Sequence, residues 1–211
     1  MKTILCFGDS NTHGTCPMRD LDDRERLDRN ARWPGVMAAQ LGSKWEVIAE
    51  GHPGRTTVHD DPLEGRHKNG HPALLVSLET HRPVDVLIMM LGTNDLKARF
   101  SVTGQDIARS VEKLVLAARL SGCGPRGGAP DIMLIAPPPI VETGCLKHMF
   151  SGGAAKSTGF GAHYAEVAER QACRFLNAGE LIPSSPVDGV HLDEDAHRRL
   201  GMAVAERIAA L

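Results

Sequence analysis

The sequence lacks the features that mark a membrane protein, a disulfide-rich secreted protein or a nucleic-acid-binding protein. No stretch approaches the roughly 20 apolar residues that a membrane-spanning helix needs. The five cysteines are scattered and contain no CxxC pair, so they indicate neither a disulfide framework nor a zinc knuckle. The formal net charge of -2 gives no electrostatic reason to expect nucleic acid or an anionic membrane as a partner.

The N-terminal residues and the aromatic content narrow the class further. The apolar run before Gly8 is too short for the core of a signal peptide, and no small-residue cleavage site follows it. We therefore expect a cytoplasmic protein with reduced thiols. Aromatic residues make up only 4 % of the chain, which leaves few rings on which a long polysaccharide could stack.

Sequence motifs for cofactors and metal ions are weak. A GxGxxG pattern occurs at residues 122–127, but it follows a predicted helix and precedes a predicted strand, the reverse of a dinucleotide-binding turn. The chain has no P-loop, no HExxH and no GxSxG elbow. The candidate metal ligands are His59 with Asp60 and Asp61, and His67 with His71. Neither group has the spacing of a metal site, so we expect no metal and no cofactor.

Short apolar runs alternate with amphipathic segments along the 211 residues, which are enough for one domain with a full core. We expect residues 1–211 to form a single α/β domain. The predicted strands are residues 3–7, 45–49, 84–91, 131–136 and 175–178. The predicted helices are residues 32–41, 73–81, 104–120, 162–174 and 193–210. This alternation is typical of a parallel sheet that is covered by helices on both faces.

Three segments do not fit this alternation, namely residues 16–30, 59–72 and 137–161. Long irregular segments in a compact domain usually have a function or lie at an interface. A solvated loop is the simplest expectation for the Asp- and Arg-rich residues 16–30, although they could also meet substrate or a neighbouring subunit. The partly apolar residues 140–150 could cover a pocket or pack between subunits.

Polar residues follow the first predicted strand at once, as Gly8-Asp9-Ser10-Asn11. Ser10 would lie in a sharp strand-to-helix turn that Gly8 permits. Taken alone, this segment fits a helix cap by Asp9 or Ser10 as well as it fits a catalytic serine.

Three further segments change that balance. Residues 51–55 (GHPGR) follow the second predicted strand, residues 92–95 (GTND) follow the third, and residues 188–191 (DGVH) precede the last helix. Ligands of parallel sheets bind at the carboxyl ends of the strands, where all four segments should meet. The preference of Asn, Asp and Gly for turns would not by itself explain all four segments. His197, six residues after His191, is expected at the surface of the last helix.

In this order, the four segments resemble the sequence blocks of the SGNH (GDSL-like) hydrolases, and they span residues 8–191. The residues that name the family fall on Ser10, Gly54, Asn94 and His191, and its acidic triad member falls on Asp188. The chain is most similar to the short bacterial arylesterases and acyltransferases of this family. The resemblance implies a three-layer α/β/α fold with a flavodoxin-like sheet of strand order 2-1-3-4-5. It also implies a homo-oligomer.

The expected chemistry needs these residue types. A serine hydroxyl attacks well only if a base takes its proton, and the unperturbed pKa of about 6.5 suits His191 for that role. Asp188 could accept the Nδ1 proton of His191 and so orient the ring. The resemblance assigns the oxyanion hole to the backbone N–H groups of Ser10 and Gly54 and to the side-chain amide of Asn94.

We therefore expect a serine-dependent carboxylester hydrolase that acts through an acyl-enzyme on small esters with a short acyl group or an aryl alcohol. Acyl transfer to an alcohol would follow if the pocket is narrow and dry. A deacetylase of acetylated sugars is the second hypothesis. The third is a flavodoxin-like binding module with a dead site, which would use the turn at residues 8–11 to hold an anion.

Overall fold

A computed structural model describes residues 1–209, and within this range five parallel strands form one sheet of order β2-β1-β3-β4-β5. The strands are β1 (Lys2–Gly8), β2 (Trp45–Gly51), β3 (Val86–Met90), β4 (Asp131–Ala136) and β5 (Arg174–Asn177). The helices are α1 (Ser10–His13), α2 (Trp33–Leu41), α3 (Gly70–His81), α4 (Gly104–Leu120), α5 (Gly153–Ser157), α6 (Phe160–Arg170) and α7 (Glu194–Ala209). The expected α/β class and strand order are confirmed.

The central strand β3 shows why the sheet needs cover on both sides, because all five of its residues are buried. Leu87 and Met89 join a hydrophobic core with α3, α4 and α6 on one face of the sheet. Val86, Ile88 and Met90 join a second core with α2 and α7 on the other face. A continuous apolar run is therefore what a strand between two helical layers requires.

The largest boundary error lies between the fourth predicted helix and the fifth predicted strand. The helix expected at residues 162–174 ends at Arg170, and β5 begins at Arg174. Ala172 has a φ of 44°, a left-handed conformation that a helix cannot continue through. The short helices α1 and α5 were not predicted, because four or five residues carry too little periodicity. The predicted helix end at residue 210 lies outside the described residues.

The expectation for His197 is wrong, because this side chain is fully buried between α2 and α7. Its Nδ1 accepts a hydrogen bond from the backbone N–H of Trp33 at 3.2 Å, at the start of α2. Burial lowers the pKa of His197 to about 4 and keeps the ring neutral. An N–H at the start of a helix needs an acceptor from outside the helix, and here the imidazole provides it.

No helix within residues 1–209 is both long and apolar enough to cross a bilayer. The GxGxxG pattern connects the end of α4 to the start of β4, as the sequence predicts.

We predict that Tyr164→Phe destabilises the fold by about 1–3 kcal/mol. The buried Tyr164 hydroxyl donates to the carbonyl of Leu91 at 2.6 Å, just beyond β3, and the variant leaves this acceptor unpaired in the core. Urea unfolding measures the change. Thr158→Ala removes an exposed hydroxyl–carbonyl bond and is the control, with a shift below about 0.5 kcal/mol. Equal stabilities of the Tyr164 variant and the unmodified protein would contradict this account.

Candidate active site

The polar segments meet at the carboxyl edge of the sheet. Ser10, Gly54, Asn94 and His191 all line one cavity of about 530 Å³. Asp188 is fully buried and hydrogen-bonded to His191. The structure therefore brings together all five residues that the sequence analysis selected.

The turn after β1 leaves no room for a side chain at Gly8. A Cβ there would lie 2.1 Å from the Thr12 hydroxyl oxygen and 2.8 Å from the Met90 carbonyl oxygen. Asp9 caps α1, because its carboxylate accepts the N–H of Asn11 at 2.9 Å. The capping that the sequence left open between Asp9 and Ser10 thus falls to Asp9. Ser10, the first residue of α1, has a side chain that faces the cavity.

The His191 imidazole is held by Asp188 at a distance of 2.6 Å between Nδ1 and Oδ2. The two are three residues apart, and the turn between them needs Gly189, which has a φ of 76° and would place a Cβ 1.7 Å from the Val141 carbonyl oxygen. A β-carbon at position 189 would therefore break the turn that folds the carboxylate back onto the ring.

The Asp188 carboxylate is saturated with donors. Oδ1 accepts the N–H groups of Val190 and His191, both at 2.9 Å, and Oδ2 accepts the N–H of Met18 at 2.7 Å besides the imidazole. Burial by itself would raise the pKa of Asp188, but the hydrogen bonds from His191 and Met18 outweigh it and hold this pKa below its usual range. The group that orients His191 is therefore ionised at neutral pH.

Three donors converge on the cavity from separate segments. Within the part of the chain that the structure describes, the backbone N–H groups of Ser10 and Gly54 donate to no protein acceptor. Asn94 is nearly buried, and its Nδ2 lies 3.5 Å from Asp9 Oδ2. Gly54 has a φ of 80°, and a Cβ there would lie 2.5 Å from Glu64 Oε2, so only glycine suits this position. These three donors can bind a negatively charged oxygen.

Asp95, the last residue of the GTND segment, has a structural function at the site that its position in the motif does not indicate. It is fully buried and accepts the Thr57 N–H at 2.9 Å, the Thr57 hydroxyl at 2.5 Å and His59 Nδ1 at 2.8 Å. This hydrogen bond from His59 to Asp95 raises the pKa of the imidazole. Asp95 thus ties the segment after Gly54 to the segment that carries Asn94.

Arg55 is a second such residue. It is buried, donates to the Gly8 carbonyl at 2.8 Å and to the Glu50 carbonyl, and its guanidinium lies 4.2 Å from the centre of the Phe7 ring. Burial lowers the pKa of Arg55 to about 10, which still leaves it charged at neutral pH. It fixes the Gly54 turn to the end of β1. The sequence could have indicated this function, because the arginine directly follows Gly54.

A model of the GDSL-like lipase/acylhydrolase family matches residues 6–199. The chain belongs to this family. An aryl esterase from M. smegmatis is 41 % identical with a TM-score of 0.94, and each chain covers 100 % of the other. A carbohydrate acetylesterase from Sinorhizobium meliloti is 38 % identical with a TM-score of 0.94, over 100 % of this chain and 99 % of that one. No curated protein matches the sequence. The expected family and reaction class, a serine ester hydrolase, are confirmed.

A solved structure with much lower sequence identity has the same fold. A lipolytic G-D-S-L family protein from Veillonella parvula has a TM-score of 0.68 at 15 % identity, over the full length of both chains. At that identity the likeness concerns the fold alone.

The cavity of this esterase is walled by all three of the irregular segments. Its apolar lining residues are Met18, Leu21, Pro53, Leu146, Met149, Phe150 and Val190. Its charged lining residues are Asp23, Arg24, Glu25, Glu64, Lys68 and Lys97. A purely solvated loop at residues 16–30 is therefore too simple an expectation, because this segment faces the cavity with both kinds of side chain.

The candidate metal ligands serve other contacts. His59 bonds to Asp95, and Asp61 lies 2.6 Å from a terminal nitrogen of Arg99 and 3.6 Å from Lys97 Nζ. Within residues 1–209, no three His, Cys, Asp or Glu side chains are arranged to hold a metal ion.

We predict that Asp9→Asn gains stability relative to the unmodified protein as pH rises from about 4 to about 6. Burial raises the pKa of Asp9 from 3.8 to about 6, so the protonated form stabilises the fold at low pH, and this stabilisation is lost as pH rises through that window. The asparagine has no proton to lose, so its unfolding free energy relative to the unmodified protein should rise and then level off.

Urea unfolding at a series of pH values measures this difference. Asp106→Asn is the control, because hydrogen bonds from Thr103 lower the pKa of the exposed Asp106 below its ordinary value of 3.8. Its titration therefore lies below the tested window, and its stability difference should stay nearly constant from about pH 4 to about pH 6. A difference for Asp9→Asn that stays constant across the window would refute the raised pKa.

Proposed function

We propose that this esterase hydrolyses small esters with a short acyl group or an aryl alcohol, and that Ser10 is its nucleophile. The observation that carries the proposal is one cavity lined by Ser10, Gly54, Asn94 and a His191 ring held by Asp188. A nucleophile, an oriented base and oxyanion donors on one cavity wall are the parts that acyl transfer requires.

In the proposed first half of the reaction, the Ser10 hydroxyl oxygen attacks the ester carbonyl carbon while His191 Nε2 takes its proton. Ionised Asp188 holds the Nδ1 proton and stabilises the imidazolium that forms. When the tetrahedral intermediate collapses, the carbon–oxygen bond to the alcohol breaks. The leaving oxygen takes the proton from His191, and the acyl group stays on Ser10.

In the second half, a water molecule attacks the acyl carbon while His191 takes its proton. The bond between that carbon and the Ser10 oxygen then breaks, the Ser10 oxygen takes the proton back from His191, and the carboxylic acid leaves. An alcohol in place of water would give a new ester, so we also propose acyl transfer as a side activity when alcohol is abundant.

The oxyanion of both intermediates would lie between the N–H groups of Ser10 and Gly54 and the amide of Asn94. Each of these donors belongs to a segment fixed by buried contacts, so little reorganisation is needed as the charge develops. One such donor typically supplies about 2.7–4 kcal/mol of transition-state stabilisation.

The two kinds of cavity wall support the proposed substrate size. The leaving alcohol must lie beside His191, and the residues next to the Asp188–His191 pair, Met18 and Val190, are apolar. Charged Glu64 and Lys97 line the cavity near Gly54 and Asn94. Glu64 is paired with Lys97 and Arg99, and 33 % of its side chain is exposed. A long alkyl chain against this wall would remove water from Glu64 and gain no apolar contact with the ion pairs, which disfavours long acyl groups.

A carbohydrate O-deacetylase is the second candidate. The charged residues of the cavity could bind sugar hydroxyls, and the Sinorhizobium meliloti relative is a carbohydrate acetylesterase. The catalytic steps would be the same, and only the alcohol would differ.

We propose that the chain acts as a cytoplasmic homo-oligomer whose partner is a small ester rather than nucleic acid or a membrane. Two of the segments that wall the cavity carry exposed apolar side chains, Leu21 and Leu63, which would suit contacts between subunits. The five cysteines all lie within residues 1–209 and form no disulfide with one another, as is usual in a reducing compartment.

We predict that Ser10→Ala lowers kcat on p-nitrophenyl acetate at least about 1,000-fold. A fluorophosphonate should add once to the unmodified protein, on Ser10, as measured by mass spectrometry of the peptides. Ser77→Ala is the matched control, since Ser77 is 7 % exposed against 6 % for Ser10 and lies in α3. Retained activity in Ser10→Ala would overturn the nucleophile. An unmodified protein with neither esterase activity nor an adduct would favour the binding module.

We predict that kcat/KM for p-nitrophenyl acetate exceeds that for the octanoate at least about tenfold, because the wall near Gly54 is charged. Steady-state assays on the two esters and on a peracetylated xyloside measure the preference. A higher kcat/KM on the xyloside than on the aryl acetate would favour the deacetylase. Equal values for the two acyl lengths would contradict the proposed acyl site.

A further inference from the structure

The turn that carries His191 satisfies much of its own backbone. The N–H groups of Val190 and His191 donate to Asp188, and the His191 carbonyl accepts the N–H of Ser185 at 2.8 Å. These bonds hold the turn in shape, but they do not fix its place relative to the nucleophile.

Two further backbone groups of this turn bind one remote side chain. Asn11 Nδ2 donates to the Val190 carbonyl at 3.1 Å, and the Leu192 N–H donates to Asn11 Oδ1 at 3.1 Å. The side-chain amide of Asn11 therefore hydrogen-bonds the backbone on both sides of His191. Asn11 is 2 % exposed, so these bonds are shielded from water.

We propose that Asn11 is a positioning residue that sets the distance and angle between the Ser10 hydroxyl and the His191 ring. Asn11 directly follows Ser10 in α1, so a displacement of the His191 backbone relative to Ser10 must strain these two hydrogen bonds. This inference rests on the proposed roles of Ser10 and His191. Asn11 does not line the cavity and acts only through the backbone of its neighbours.

The residue type follows from the geometry. One side chain must donate to a carbonyl and accept from an N–H two residues further along, so it needs a donor and an acceptor on one short planar group. Asparagine provides both. Aspartate could accept from Leu192 but would place an oxygen against the Val190 carbonyl, and leucine could do neither.

A second contact from the same stretch of chain supports this function. The Met18 N–H donates to Asp188, so the segment that leaves Ser10 reaches both members of the Asp188–His191 pair. Asn11 holds the backbone on both sides of His191, and the Met18 N–H donates to the Asp188 carboxylate. The nucleophile and its base are thereby built into one unit, although residues 11 and 190 are 179 positions apart.

The test compares Asn11→Leu and Asn11→Asp with the unmodified protein. We expect kcat on p-nitrophenyl acetate, normalised to the folded fraction, to fall about 10- to 100-fold in both, since a displacement near 1 Å can cost that much. KM should stay within about twofold, because the cavity lining is intact. The rate of fluorophosphonate labelling should fall in the same proportion as kcat.

Asn177→Leu is the matched control. Asn177 also makes two hydrogen bonds, from the Gly179 N–H at 3.2 Å and to Glu180 at 2.9 Å, and it does not line the cavity. This variant should lose stability while its folded fraction keeps kcat and the labelling rate. A purely structural function of Asn11 would give the same result as this control.

An unchanged kcat in the folded fraction of Asn11→Leu, or a raised KM with unchanged kcat, would overturn the proposal. If Asn11→Leu does not fold, Asn11→Asp decides by the same measurements, because it keeps the contact to Leu192. Failure of the proposed function looks different, since activity would then survive in Ser10→Ala. An Asn11 variant that is slower but still labelled on Ser10 supports both the proposed function and the positioning function of Asn11.

Discussion

The hydrogen bond between Asp188 and His191 is the contact on which the site depends. A carboxylate removed from water is costly unless all of its oxygen lone pairs find donors. Here the donors come from the imidazole, from two backbone groups of the same turn and from Met18. Burial and ionisation of Asp188 thus require that the last turn and the segment after α1 fold together.

The acidic residues at this sheet edge show how environment separates identical side chains. Asp188 has enough donors to keep its pKa low, whereas burial dominates at Asp9 and raises its pKa. Asp95 is used instead to join the Gly54 and Asn94 segments. One carboxylate caps α1, one joins the segments that carry Gly54 and Asn94, and one holds the His191 ring.

The predictability of the fold followed the strength of the local pattern. The buried strands stood out as continuous apolar runs, and α4 stood out because its apolar residues repeat at the helical period. Motif order placed Ser10, Gly54, Asn94, Asp188 and His191 at one edge. The end of α6 was missed because Ala172 adopts a left-handed conformation that no residue-type rule anticipates. His197 was misplaced because helix periodicity does not tell which polar residue caps a neighbouring helix.

The sequence by itself determined the family, the parallel sheet and the residues that meet at its edge, since these depend on periodicity and on motifs read locally. Only the tertiary structure decided that Asp9 rather than Ser10 caps α1, and that Arg55, Asp95 and Asn11 hold the site together. The physical reason is that hydrogen bonds between distant segments depend on three-dimensional proximity, which spacing along the chain does not reveal. Ser10 and His191 line one cavity because the fold brings residues 11 and 190 into contact.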